Sequence, residues 1–128
     1  MLHRSLPIIG LTALALSSCA STDEPVVCTE EFRYGILVTA VDAGTDQSLM
    51  IGAAGELVDG SHRESLQFVP SPATENSVMV GAGERPGRYL VTVSHPGYQE
   101  WRQDDVLVTA DACHVNPVIL EARLDPAP

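Results

Sequence analysis

The sequence predicts an all-β fold: an antiparallel β-sandwich of about seven short strands. Three observations carry this expectation. Side chains alternate in character over short runs, most clearly where Tyr89, Val91 and Val93 alternate with Leu90, Thr92 and Ser94, the period of a strand with one buried face. Turn residues interrupt the chain at short intervals, as at Asp42-Ala43-Gly44-Thr45-Asp46, Asp59-Gly60 and Pro70-Ser71-Pro72. No apolar stripe at helical spacing is long enough for a helix. Seven short strands separated by such turns suit two packed sheets.

The strands follow in order. Tyr34 to Val41 is a β-rich run that stops at the Asp42–Asp46 turn cluster. Ala53 to Val58 reads as the second strand, ended by Asp59-Gly60. In the third, Leu66 and Phe68 alternate with Ser65 and Gln67, and the proline cluster closes it. Ser77 to Val80 is a short fourth strand bounded by Gly81 and Gly83. Tyr89 to Ser94 is the fifth and Asp105 to Thr109 the sixth. In the last, Val118, Leu120, Ala122 and Leu124 alternate with Ile119, Glu121 and Arg123. Only 5% of residues are aromatic, so Val, Ile and Leu must supply most of the core.

The N-terminus has a different character. His3 and Arg4 precede an apolar stretch from Leu6 to Leu16, too short to span a membrane as a stable helix and ended by small residues. Residues 1–18 therefore read as a signal peptide. The sequence Leu16-Ser17-Ser18-Cys19 also resembles a bacterial lipobox, in which an aliphatic and two small residues precede a cysteine that is lipidated and becomes the new N-terminus. The resemblance implies lipidation at Cys19 and stable anchoring, since two or more acyl chains hold a protein where one does not. Ala20 stands where lipoproteins kept at the inner membrane tend to carry Asp, which implies the outer membrane of a bacterial envelope. Residues 19–27 then form a lipidated tether, 28–124 the domain and 125–128 a flexible end.

Charge excludes some partners. The chain carries 17 acidic residues against 7 basic ones. Loss of Arg4 with the signal leaves 6 basic side chains and a formal charge of −11. This argues against nucleic acid and against anionic headgroups, and suits a basic protein partner, a cation or simple solubility. There is no lysine, which excludes Schiff-base chemistry and lysine–asparagine isopeptide crosslinks.

Once Cys19 is lipidated, Cys28 and Cys113 remain. In an oxidising envelope they are expected to pair, closing a loop whose entropy is worth about 4–5 kcal/mol. The alternative is two free or metal-binding thiols, for which no second CxxC or nearby histidine cluster is present.

Two stretches carry a family resemblance. Glu84-Arg85-Pro86-Gly87-Arg88-Tyr89-Leu90-Val91-Thr92-Val93, followed by His95-Pro96-Gly97-Tyr98, resembles the carboxypeptidase regulatory-like domains, and Cys113-His114-Val115 with Val118-Ile119-Leu120 resembles their final strand in small lipoproteins. The Tyr34–Ala54 region is similar to their first hairpin. The resemblance implies a prealbumin-like (transthyretin-like) sandwich used for binding or support, without peptidase chemistry. Gly87 and Gly97 are expected at positive φ in turns, and Tyr89 between the sheets with its hydroxyl bonded.

Candidate sites are few. Asp42, Asp46, Asp104 and Asp105 lack calcium-loop spacing and read as turn and surface residues. His62, His95 and His114 lie far apart, without a local zinc motif. No G-x-S-x-G elbow is present, nor the Tyr-Arg-Gly-Ser ending of transthyretin-like hydrolases. No cofactor and no metal is expected. Tyr98 and Trp101 suit either an aromatic binding surface for a glycan or envelope protein, or a seal on one edge of the sandwich. The expected function is a lipid-anchored, non-enzymatic envelope module. The alternatives are an inhibitor of a basic enzyme such as lysozyme, and a small-metabolite hydrolase.

Overall fold

The computed structural model describes Cys19, residues 23–73 and residues 76–128. The expected signal peptide at 1–18 and residues 20–22 of the tether lie outside the described residues. Within them no helix is long and apolar enough to cross a membrane.

Among the described residues there are eight strands: β1 (Tyr34–Asp42), β2 (Ala54–Asp59), β3 (His62–Ser65), β4 (Gln67–Val69), β5 (Val78–Gly83), β6 (Gly87–Ser94), β7 (Trp101–Val108) and β8 (Val118–Leu124). They form two four-stranded sheets, ordered β4-β5-β1-β8 and β3-β2-β6-β7. The all-β sandwich holds. There are eight strands rather than seven, and one pairing is not antiparallel: β8 runs parallel to β1, from Ile36 opposite Val118 to Asp42 opposite Leu124. The cause is the crossing from one sheet to the other. β7 ends with Val108 opposite Gly87, at the end of the sandwich where β1 begins. A short loop then enters the first sheet at that same end, so β8 must start beside the start of β1.

The alternation in the sequence becomes the core. Ile36, Val38 and Ala40 of β1 are fully buried, as are Tyr89, Val91 and Val93 of β6. Leu57 from β2, Met79 from β5, Val106 and Val108 from β7 and Ala122 and Leu124 from β8 complete the layer. Each large aliphatic removed from water here contributes about 1.5–3 kcal/mol. The opposite parity of β8 faces outward, with Ile119, Glu121 and Arg123 exposed. Among the described residues every core side chain and the disulfide lie between Cys28 and Leu124, so the chain from Cys19 onward carries the whole of that core.

The eighth strand comes from splitting the run around Leu66. His62–Ser65 pairs with β2 in one sheet, and Gln67–Val69 pairs with β5 in the other. Leu66 is the step between them: its N–H bonds to the Gly55 carbonyl at 2.8 Å, and its buried side chain packs where a Cβ on Gly55 would sit. β3 has no apolar residue, being an edge strand held by its backbone, and left no pattern to read. β7 starts at Trp101 rather than near Asp105, because Arg102 to Asp105 are all exposed on an edge and mask the period.

Gly97 takes φ 83° as expected. Gly87 does not lie at positive φ; its role is close approach, since a Cβ there would collide with the Asp59 carboxylate. Residues 125–128, expected to be a flexible end, are exposed but hydrogen-bonded: Gln99 N–H donates to the Asp125 carbonyl and Ala127 N–H to the Gly97 carbonyl.

Candidate functional site

The densest polar arrangement lies at the end of the sandwich where the tether joins. The pairing of Cys28 with Cys113 is present, with Cα atoms 5.2 Å apart. It clamps the segment before β1 onto the loop between β7 and β8. Asp111 shapes that loop by accepting the N–H groups of Cys113 and His114 on one oxygen, both at 2.8 Å. These bonds hold its carboxyl below the usual carboxylate range.

The loop delivers His114 into a nearly buried position, 9% exposed. Its Nδ1 donates to Glu84 Oε1 at 2.8 Å, and its Nε2 lies 3.1 Å from the Thr29 hydroxyl. Glu84 stands at the corner between β5 and β6 with φ 46°, and Ala82 just before it has φ 53°, both in a region that non-glycine residues rarely occupy. This corner turns the carboxylate toward three partners. Besides His114 it accepts the Arg33 N–H at 2.7 Å and the Val115 N–H at 3.2 Å. Burial pushes Glu84 upward, and the bonds from His114, Arg33 and Val115 outweigh it, leaving the carboxyl lowered.

Thr29, His114 and Glu84 thus form a hydroxyl–imidazole–carboxylate chain, the pattern of an activated nucleophile. Acyl transfer also requires donors aimed at a developing oxyanion. Here the nearby N–H groups are engaged: those of Cys113 and His114 by Asp111, those of Arg33 and Val115 by Glu84. The arrangement ties three distant segments together.

A second polar group lies at the same end. Tyr89 is fully buried, and its hydroxyl donates to the Arg85 carbonyl at 2.9 Å while accepting from Arg85 Nη1 at 2.8 Å. Arg85 also reaches Asp59 at 2.9 Å. His62 donates to Glu64 at 2.6 Å, and the other Glu64 oxygen accepts the Ala82 N–H across the gap between the sheets.

The remaining candidates are dispersed. His95 contacts the Ile51 and Pro96 carbonyls, so each histidine has its own partners and the three are not brought together. Among the described residues no three potential metal ligands converge. At the far end Asp42 accepts the Gly44 and Thr45 N–H groups at 2.8 and 2.9 Å and the Tyr98 hydroxyl at 2.7 Å. Tyr98, then Gly44 and Thr45, hold the Asp42 carboxyl low, and the same bond pushes the Tyr98 hydroxyl up. Asp46 pairs with Arg123. Asp104 faces Arg102 at 3.2 Å and Asp105 faces Arg88 at 3.8 Å. Tyr98 and Trp101 are half-buried and packed against the core, the placement of a seal. Cys19 is exposed and outside the disulfide.

Sequence reasoning missed Glu84 and Thr29 as members of a polar site, since their partners are 30 and 85 positions away. Asp111 carried a local signal, an Asp two residues before Cys113 that can bond its own backbone. The chain matches no protein-family model and no curated protein.

Proposed function

We propose that this chain is a lipid-anchored, non-enzymatic protein of the bacterial envelope that displays a β-sandwich on a short tether. The division of the three cysteines carries the reading. Cys28 and Cys113 are joined, while Cys19 is exposed, unbonded and placed at the end of Leu16-Ser17-Ser18-Cys19. In this reading residues 1–18 are the signal peptide, and Ala20, standing where an Asp tends to retain lipoproteins at the inner membrane, favours the outer membrane. The sandwich is taken to be of the carboxypeptidase regulatory-like, prealbumin-like type, on the strength of the Pro86-Gly87-Arg88-Tyr89 and Gly97-Tyr98 motifs. The partner is an envelope protein or a glycan.

Replacing Cys19 by Ser tests the anchor. The variant is expected to leave the membrane fraction and to incorporate no labelled palmitate, with an unchanged urea midpoint. Full membrane retention of Cys19→Ser would sink the proposal.

A further inference from the structure

Exposed apolar side chains gather at the tether end. Phe32 is 61% exposed and Ile119 is 78% exposed. Phe32 is held rather than loose: its ring lies over Gly83, where any Cβ would collide with it. It also stands edge-on to Tyr34 with centroids 5.2 Å apart. The Tyr34 hydroxyl reaches Gln67 at 3.4 Å. Gln67, buried Val80, half-buried Leu37 and exposed Ile119 stand in register across the first sheet. A positioned, exposed aromatic with exposed Ile119 and half-buried Leu37 on the neighbouring strands suits an interaction surface.

What covers this surface follows from where the chain is held. From Asp23 to Arg33 the segment forms no strand or helix, and it is pinned at Cys28 by the disulfide. Nine peptide steps from Cys19 to Cys28 span at most ~30 Å. Phe32 follows Cys28 by four residues. A surface so close to an anchored residue meets the bilayer at high effective concentration. Exposed Val26 and Val27 in the tether add apolar contact on the way.

We propose that the tether end sits on the bilayer, with Phe32 entering the interfacial region and Tyr34, Leu37 and Ile119 around it. This rests on the lipid-anchor reading. Aromatic side chains suit the headgroup boundary. The acidic charge of the domain selects zwitterionic headgroups over anionic ones.

The test uses the chain from Cys19 onward with its disulfide closed, coupled through the Cys19 thiol to a thiol-reactive phospholipid in phosphatidylcholine vesicles with brominated acyl chains. The indole introduced by Phe32→Trp is expected to be quenched and blue-shifted, while the native Trp101 at the opposite end is not. An Ile119→Trp reporter is expected to be quenched as well, and adding Phe32→Asp to it should cut the seated fraction about tenfold or more. Admixture of phosphatidylglycerol should weaken both signals. An unquenched indole at position 32, or equal quenching of Trp101, overturns the seat and leaves the surface to a protein partner. Because the coupling supplies the anchor chemically, failure here counts against the seat alone. Failure of natural lipidation shows separately in the Cys19→Ser experiment.

Discussion

The two ends of the sandwich are held by different kinds of contact. At the far end a turn bonds to itself, with Asp42 capping it through Gly44 and Thr45, and Arg123 reaches that turn from β8 at Asp46 and the Ala43 carbonyl. Tyr98 and the 125–127 segment then close over it. At the tether end they are long-range. Cys28 meets Cys113, Thr29 meets His114, and Glu84 gathers Arg33, His114 and Val115. A turn that bonds to itself can form early and cheaply in entropy. Contacts across most of the chain form only when the sheets are already assembled, because closing a long loop is costly. The self-bonded turn at the far end is therefore expected to form before the contacts of the tether end.

Five measurements sharpen or break this comparison. The largest effect belongs to the disulfide. Replacing Cys28 and Cys113 together by Ser should cost about 4–5 kcal/mol, from a loop spanning a separation of 85 residues, read as a fall in the urea midpoint. A loss under about 1 kcal/mol would mean that the polar contacts alone hold this end. Next is His114→Ala, which removes a nearly buried side chain and strips a partner from Glu84 and Thr29. About 2–3 kcal/mol is expected, with faster hydrogen exchange at Arg33 and Val115.

Gly35→Ala probes packing at the same end. Its Cβ would lie 2.7 Å from Val108 Cγ1 and 2.9 Å from the Ala82 carbonyl oxygen. The backbone oxygen cannot move aside cheaply, so about 1–2 kcal/mol is expected. The smallest effect is at the far end. Tyr98→Phe removes one bond to Asp42, and carboxyl titration by NMR should show Asp42 moving back up toward its ordinary value. Asp42, Glu84 and Asp111 are all lowered on folding. They favour the folded state above the unfolded carboxylate range, and that contribution is lost as pH falls through their lower folded values. Urea midpoints should be flat near neutrality and fall on acidification, less steeply in Asp42→Asn. An equal slope in wild type and variant would remove Asp42 from the account.

The sequence was legible where a pattern is written locally. Strands β1, β6 and β8 alternate because each has one face on the core, and Asp42-Ala43-Gly44-Thr45-Asp46 announces a turn by composition. The disulfide was legible because the N-terminal pattern leads us to expect an oxidising compartment, where two thiols in a small domain usually pair. β3 was not, since His62-Arg63-Glu64-Ser65 carries no apolar period and exists by pairing with β2. The direction of β8 was hidden for the same reason: its side chains report which face is buried, not which neighbour lies alongside. Glu84 sat inside a motif that looked purely architectural, and nothing near it in sequence points to His114 or Arg33.

The disulfide also changes how the molecule would carry mechanical load. A pull between Cys19 and a partner gripping the C-terminal residues passes from Cys28 through the sulfur bridge to Cys113, and then along β8. Everything from Thr29 to Ala112 lies in a side branch of that path and bears no direct tension. The sandwich would lengthen only by straightening the tether and peeling β8, so a pulling experiment on the oxidised protein should record a short contour length. Reduction should release the remainder of the chain.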